Sequence, residues 1–253
     1  MMNGFAYRWL IFISICVGQD TPTWFMYPPQ LDHYYVGVGI GLHFQEDMDS
    51  FASAQANATA ELSRQIHVKI MGGLAEVSSG AKAFARQYTR EVIDSTVFHK
   101  VVAHAMPIDS FLTHNNAYVL MIINKDLSSV SIDNIDQIKS TIEYAPKMKH
   151  RPLWIKRPPK RRGFVYGVGF GSTHRRLVDS WENSAKQARI EIAKQMDTSV
   201  GALLKNATGD YSEGIRWIEE TTNVVLNGAT IKERWHDEEQ NIFYTLMEYG
   251  SIK

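Results

Sequence analysis

The chain of 253 residues contains one cysteine, carries no net charge and has no apolar run long enough to span a bilayer. Its 27 Lys and Arg residues balance 27 Asp and Glu residues, so no overall field favours nucleic acid or an acidic partner. An apolar run near the N-terminus, residues 9–18, has ten residues, whereas a transmembrane helix needs about 20. Function must therefore be inferred from local features of the sequence.

The apolar run follows an arginine and precedes polar Gln19, which is typical of a secretory signal peptide. Cys16 and Gly18 are small residues placed as signal peptidase requires for cleavage before Gln19, so we expect residues 1–18 to be removed. The mature chain would then have no cysteine and need no disulfide, which is compatible with export. Two alternatives stay open. In the first, the apolar run is a buried N-terminal strand of the folded protein. In the second, Cys16 carries a lipid, although Ile15 is larger than the residue that usually precedes a lipidated cysteine.

The second half of the chain repeats the first at a spacing of 130 residues. A tryptophan, a Pro-Pro pair and a Gly-Val-Gly segment recur in register, and the match continues into the segment that follows. These motif residues are Trp24, Pro28, Pro29, Gly37 and Gly39 in the first copy, and Trp154, Pro158, Pro159, Gly167 and Gly169 in the second. Solenoid repeats have periods of about 20 to 50 residues, so this longer period predicts two tandem copies of a small domain.

Each copy is predicted to fold as β-α-β-β, an α+β module with one helix packed on an antiparallel sheet. Residues 35–41 and 165–171 alternate apolar side chains with glycine, which indicates a first strand whose glycine face admits a close neighbour. Apolar residues at helical spacing follow in residues 49–70 of the first copy, and from Trp181 to Met196 of the second. These segments are the predicted core-facing helices.

Two predicted hairpins complete the modules. Their strands are residues 97–111 and 117–123 in the first copy, and residues 224–235 and 242–249 in the second. Between helix and hairpin, residues 78–91 and 206–220 lose the 130-residue register, and we interpret them as helix extensions or insertions. The first module is assigned to residues 19–125, a partly helical linker to residues 126–149, and the second module to residues 150–253.

A basic segment, residues 147–162, joins the linker to the second module and carries eight Lys and Arg residues. Its prolines favour an extended conformation. A charge run of this kind is usually a solvated connector, and the alternative is contact with an anionic surface of the cell envelope. No feature of the chain predicts nucleic-acid binding.

The motif residues resemble the Lpp-twenty lipoprotein family, which includes a flagellar outer-membrane lipoprotein. The resemblance is carried by Trp24, Pro28-Pro29, the strand at residues 35–39 and the helix at residues 60–66, and the second half repeats the same signature. It implies a small dodecin-like α+β domain, an exported location in the periplasm or at the outer membrane, and a structural role there without established catalysis. Two departures from the family are the tandem arrangement and the residues around Cys16.

No catalytic, cofactor or metal motif emerges from the residues themselves. The glycines at positions 37, 39 and 41 are followed by Leu42, so they do not form the dinucleotide-binding fingerprint. The nine histidines lack the paired spacing of metal ligands. Glu61 and Glu191 are acids kept in register, and we expect them to pair with Arg64 and Lys194 one helical turn later. The prediction is thus a non-enzymatic envelope protein that self-associates or binds other envelope proteins, the alternative being a periplasmic protein that binds a small ligand.

Overall fold

The computed structural model describes residues 21–43, 47–79, 82–141, 150–196 and 222–250. Within them the protein is a mixed α+β structure with three antiparallel sheets of three strands each. The predicted signal peptide with Cys16 and the insertion predicted at residues 206–220 lie outside the described residues. The rest of the predicted organisation can be compared with the structure element by element.

The first copy begins with the four-residue helix α1 and ends with a hairpin. Its elements are α1 (Thr23–Met26), β1 (Tyr34–Leu42), α2 (Asp47–Ile66), β2 (Val68–Ser79), β3 (Lys82–Ile93), α3 (Ser95–His104), β4 (Met106–Leu112) and β5 (Asn116–Asn124). The linker then forms a 3-10 turn (Ile132–Asn134) and helix α4 (Ile135–Thr141). The second copy contains a 3-10 turn (Leu153–Ile155), β6 (Phe164–Ser172), α5 (Leu177–Met196), β7 (Thr222–Leu226), β8 (Thr230–Asp237) and β9 (Ile242–Gly250).

The glycine face of the first strand packs directly on the helix in both copies, as predicted. A Cβ atom added to Gly39 would lie 2.0 Å from the carbonyl oxygen of Ala54, and one added to Gly169 would lie 2.0 Å from that of Ser184. Small residues on the helix and glycine on the strand therefore bring two backbones into contact. Met196, the last residue of the predicted apolar stripe, is instead exposed at the end of α5.

Both predicted hairpins are present and share an irregularity, but the single strand predicted at residues 224–235 is wrong, because residues 227–229 separate β7 from β8 and only β8 belongs to the hairpin. Strand β5 lies between β1 and β4, and strand β9 lies between β6 and β8, with every pair antiparallel. The edge strands β4 and β8 each carry a β-bulge, around Ile108 and Lys232 respectively. The two bulges oppose equivalent residues of the central strands, so the repeat is preserved even in this detail.

Three further details of the predicted strands and helices are wrong. Residues 97–104 form helix α3 rather than a strand, because the Asp94 side chain caps the helix by accepting from the Val97 N–H at 3.0 Å and because Val101 packs against α2. Helix α2 ends at Ile66, and the residues beyond it enter β2. The segment predicted as a helical extension, residues 78–91, lies mainly in the antiparallel hairpin of β2 and β3.

The two copies are joined by strand pairing. Strand β7 of the second copy pairs with β2 of the first, with Val68 opposite Leu226 and Gly72 opposite Thr222. The resulting sheet has the order β3-β2-β7, and its residues Val68, Ile70 and Leu226 pack with α5. The backbone of one copy thus completes a sheet with the backbone of the other.

Candidate interaction site

Phe25 of α1 lies between the two copies and is only 1% exposed. Its ring packs edge-on against Tyr118 of the first copy, at 5.1 Å between centroids, and against Trp181 of the second, at 5.7 Å. The guanidinium of Arg234, on β8, lies 4.4 Å from the centre of the same ring. Arg234 also donates to the Phe25 carbonyl oxygen at 2.7 Å. The segment that begins the first copy is therefore an anchor for the second.

A buried group of charges forms a second contact between the copies. Arg189 of α5 is 1% exposed, and its Nε donates to Glu91 Oε1 at 2.7 Å. Its Nη1 lies 3.3 and 3.4 Å from the two carboxylate oxygens of Glu61. Arg64 lies beside this group, with its Nε 3.4 Å from Glu91 and its Nη1 3.7 Å from Glu182. Two arginines and three carboxylates, drawn from both copies, thus form one ion-pair network in the interface, with one more carboxylate than cation.

Burial and pairing have opposite effects on these groups. Burial favours the neutral form of Glu91, but the positive charges of Arg189 and Arg64 outweigh it and hold the pKa of Glu91 below its ordinary value. Burial raises the pKa of Glu182, because its more distant Arg64 offsets the lost hydration only in part and the charge of Glu61 adds to it. Arg189 is buried, yet the two carboxylates raise its pKa. Glu91 is therefore the strongly stabilised carboxylate of the group.

Arg234 is buried beside the same network, but fewer negative charges offset its loss of hydration. Burial lowers its pKa to about 10, although the charge of Glu61 acts in the opposite direction. Its Nε has no hydrogen-bond partner within the described part of the chain. The residue stays charged at neutral pH, and the face of the Phe25 ring is one of its main partners.

One of the two predicted ion pairs is confirmed and the other is wrong. Lys194 Nζ lies 3.8 Å from Glu191 Oε2, as the helical spacing predicted. Glu61 instead pairs with Arg189 of the other copy. The repeat gave no indication of this pairing, because Arg189 stands where the first copy has Thr59. A comparison of the positions at which the copies differ in charge would have singled it out.

The tryptophan motif has different surroundings in the two copies. Trp24 and Trp154 are both buried. Pro28 and Pro29 are buried too, whereas their counterparts Pro158 and Pro159 are exposed. Gln30, the next residue of the first copy, reaches β8, donating to the Ile231 carbonyl oxygen at 3.3 Å and accepting from Lys232 at 2.9 Å. The first motif is covered by the second copy, and the second motif is left open.

The open motif borders the sheet face formed by β6, β9 and β8. Trp154 packs there with Tyr244 and Leu246, and its indole N–H donates to Glu233. Tyr166 donates to Glu248, and burial together with this hydrogen bond raises the pKa of Tyr166 to about 12. A depression of about 530 Å³ lies at this edge, and its lining includes Pro158, Pro159, Lys160, Arg161, Arg162 and Tyr166. This part of the basic segment is therefore at the surface, while residues 147–149 lie outside the described residues.

A second depression of about 260 Å³ lies over the charge network. It is lined by Arg64, Glu91, Glu182 and Arg189 of the network, and by His174, Asp179, Asn183 and Lys186 around it. Among the residues that the structure describes, no group of three or more His, Cys, Asp or Glu side chains is placed to hold a metal ion. Nor does any helix in those ranges combine the length and apolar character that crossing a membrane requires.

Comparison with known proteins gives no family assignment. No protein-family model matches the chain, and neither a curated protein nor a solved structure is significantly similar to it. Function must therefore be inferred from the geometry described above.

Proposed function

We propose that this chain is an exported, non-enzymatic protein of the cell envelope whose role is structural assembly, at the outer membrane or the flagellar basal body. In this proposal the chain consists of two tandem β-α-β-β modules similar to dodecins, as its resemblance to the Lpp-twenty family implies. Its partners are further copies of itself or other envelope proteins. The observation that carries the assembly role is the shape of the sheet that joins the two copies.

The β2–β3 hairpin extends far beyond the strand that it shares with the second copy. β2 and β3 have twelve residues each, whereas within the described ranges β7 pairs with Val68–Gly72 of β2 alone. Within the described residues, the outer edge of β3 and the distal half of β2 have no further strand beside them. An extended edge of this kind is a template for pairing with another chain. The contact between β2 and β7 is an example of such pairing within the chain itself.

The other two hairpins offer less suitable edges for association. β4 and β8 are interrupted by their bulges, and the Ser110 N–H of β4 is bonded to the Asp109 side chain at 2.8 Å. Natural proteins use bulges and satisfied edge groups of this kind to prevent edge-to-edge pairing. Association through the β2–β3 hairpin is therefore the favoured route.

The buried charges also support a structural role. Arg189, Glu61 and Glu91 are paired with one another across the interface. Buried titratable groups with shifted pKa values are often catalytic when they face a cleft with a free acid or base. Here the most deeply buried of them join the two copies.

Two measurements test this proposal. Fractionation of the native host, with intact mass of the chain, is expected to place it in the envelope, starting at Gln19 or acylated at Cys16.

Light scattering is expected to show oligomers of the parent. A variant in which an Asn-Gly turn replaces residues 75–86, joining the partners Leu74 and Gln87, should melt like the parent but remain monomeric. An uncleaved cytosolic chain, or a monomeric parent, would contradict the proposal.

Binding of a small polar ligand is the second candidate function, and the charged depression favours it. The glycine-rich strands β1 and β6 do not provide a ligand site on their glycine faces, because helices α2 and α5 cover those faces. The depression beside Lys186, His174 and Glu182 presents charges of both signs and would suit a small zwitterion. Native mass spectrometry of protein purified from its host tests this function. A bound small molecule that is lost in a Lys186→Gln variant would support it, and an empty mass would contradict it.

A further inference from the structure

The second copy exposes two large apolar side chains, and one of them stands where the first copy buries its counterpart. Ile40 of β1 is 3% exposed, and its counterpart Phe170 of β6 is 65% exposed. Leu153, beside the buried Trp154, is 86% exposed. Phe170 lies on the side of the β6-β9-β8 sheet opposite α5, because the adjacent Gly169 and Gly171 face that helix. The first copy covers its equivalent face with Phe25, α4 and the second copy, whereas among the described residues this one is covered in part by the 3-10 turn that carries Leu153 and Trp154.

The segment that follows the tryptophan is strongly basic only in the second copy. Residues 155–163 contain five cations and no acid, whereas residues 25–33, their counterparts, contain one acid and no Lys or Arg. The five cations are all exposed, and they are Lys156, Arg157, Lys160, Arg161 and Arg162. The difference is confined to the copy whose motif lies open.

Two acids of the adjoining sheet are bonded to other groups, and among the described residues neither forms an ion pair with the five cations. Glu233 accepts the Trp154 indole N–H. Glu248 accepts the Tyr166 hydroxyl and lies 3.3 Å from Lys232 Nζ. Their carboxylates are thus bonded to groups of the sheet itself. The basic segment keeps its net positive charge for a partner outside the chain.

We infer that this face, consisting of Leu153, Phe170 and the five cations, docks on the surface of an anionic lipid membrane. Lys and Arg side chains beside a bilayer are attracted to its negative headgroups, and nearby exposed apolar side chains enter the interface. The depression between the Pro-Pro pair and β6 brings Lys160, Arg161 and Arg162 around a space of about 530 Å³, large enough for a phosphate headgroup. The inference names a partner for the proposed envelope protein and rests on that proposal for its location.

Vesicle binding tests the inference directly. The full chain is mixed with vesicles of phosphatidylglycerol or of phosphatidylcholine, and the bound fraction is measured by flotation at several salt concentrations. We expect binding to phosphatidylglycerol only, weakening as salt screens the charges. The variant Lys160→Gln/Arg161→Gln/Arg162→Gln should bind about 100-fold more weakly. The variant Leu153→Ala/Phe170→Ala should also bind more weakly, with less dependence on salt.

A matched control removes the same charge elsewhere. Arg90, Lys100 and Arg175 are exposed cations outside this face, so the triple Gln variant at these positions should bind like the parent. Every protein compared carries the same N-terminal apolar run, so its insertion cannot explain a difference between variants. Equal binding to both lipids, equal loss in the two triple variants, or tighter binding to an oligonucleotide than to vesicles would overturn the inference. A chain that stays in the envelope and oligomerises without binding vesicles refutes this inference alone.

Discussion

The two copies preserve the same internal packing but differ in what covers them. In each copy the glycine strand packs so closely on the helix that an added Cβ would lie 2.0 Å from a helix carbonyl oxygen, and each hairpin has its bulge at the equivalent position. Outside this common core, the first copy buries its Pro-Pro pair and the second exposes it. The repeated residues therefore specify the fold of each copy, and the residues that differ specify what each copy binds.

The glutamate that both copies share on the helix shows how the difference in binding partners arises. Glu61 and Glu191 occupy equivalent helix positions, but Glu61 is buried against Arg189 and Glu191 pairs with Lys194 near the surface. The partner differs because Arg189 replaces the Thr59 of the first copy. A similar change gives Glu182, the partner of Arg64, where the first copy has Ala52. Glu91 also lies outside the repeat, so the network between the copies depends on three residues that the repeat does not share.

The largest expected effect comes from removing the central cation of that network. Arg189→Met leaves Glu61 and Glu91 buried without their main partner, and removal of one member of a buried ion pair costs about 3 to 5 kcal/mol. Urea unfolding should show this loss in the free energy of unfolding. Lys194→Met is the matched control, since its partner Glu191 is largely exposed, and it should change stability by less than about 1 kcal/mol. Equal losses in the two variants would show that the network does not join the copies.

The next effect compares the anchor residues that follow the two tryptophans. Phe25→Ala removes a ring that is buried between the copies, and such truncations cost about 3 to 5 kcal/mol. Ile155→Ala, at the equivalent position, should cost roughly 1 kcal/mol because only part of that side chain is removed from water. Thermal unfolding of both variants measures the difference. Similar losses of stability in the two variants would contradict the finding that the second copy covers the first motif.

A smaller effect, equal in the two copies, is expected at the glycine strands. Gly39→Ala and Gly169→Ala each place a methyl group against helix backbone, and overpacking of this kind costs about 1 to 3 kcal/mol. Gly250→Ala is the control, since its Cβ would meet the Phe164 ring at an ordinary 3.6 Å. Guanidinium unfolding should give similar losses for Gly39→Ala and Gly169→Ala. A marked asymmetry would show that the copies do not share their internal packing.

Sequence alone predicted the shared core well and the contacts between copies poorly. Glycine at every second residue and apolar residues at helical spacing are local signals. They allowed β1, α2, β6 and α5 to be located within a few residues. Helix α3 was missed because its valines and phenylalanine have strand propensity, while the Asp94 cap and the packing of Val101 on α2 favour the helix. In β3, the four-residue spacing of Phe84, Tyr88 and Val92 fits one face of a helix as well as one face of a strand, so it did not distinguish between them.

The pairing of β2 with β7 had no local signal. Strands distant in the chain are brought together only by the packed copies, and their register depends on tertiary contacts. Arg189 was missed for a related reason. A search for repeated residues cannot find a site built from residues that differ between the repeats.

The smallest expected effect is a difference in how two carboxylates of the interface change the stability of the fold with pH. The folded pKa of Glu91 is lowered by Arg189 and Arg64 despite burial, so its stabilisation is present above its ordinary value of 4.5 and is lost as the pH falls through the lowered value. The folded pKa of Glu182 is raised by burial. Ionising Glu182 therefore opposes folding, and this cost develops as the pH rises from 4.5 through the raised value.

Glutamine at each position separates these contributions. Relative to the parent, Glu91→Gln should be less stable at pH 7, and the deficit should shrink as the pH falls below 4.5. Glu182→Gln should show the opposite trend, gaining on the parent as the pH rises above 4.5. Glu239→Gln, in the exposed turn after β8, should follow the parent throughout. Melting temperatures from pH 3 to pH 8 measure all four proteins, and parallel curves for the two interface variants would show that Arg64 and Arg189 do not distinguish Glu91 from Glu182.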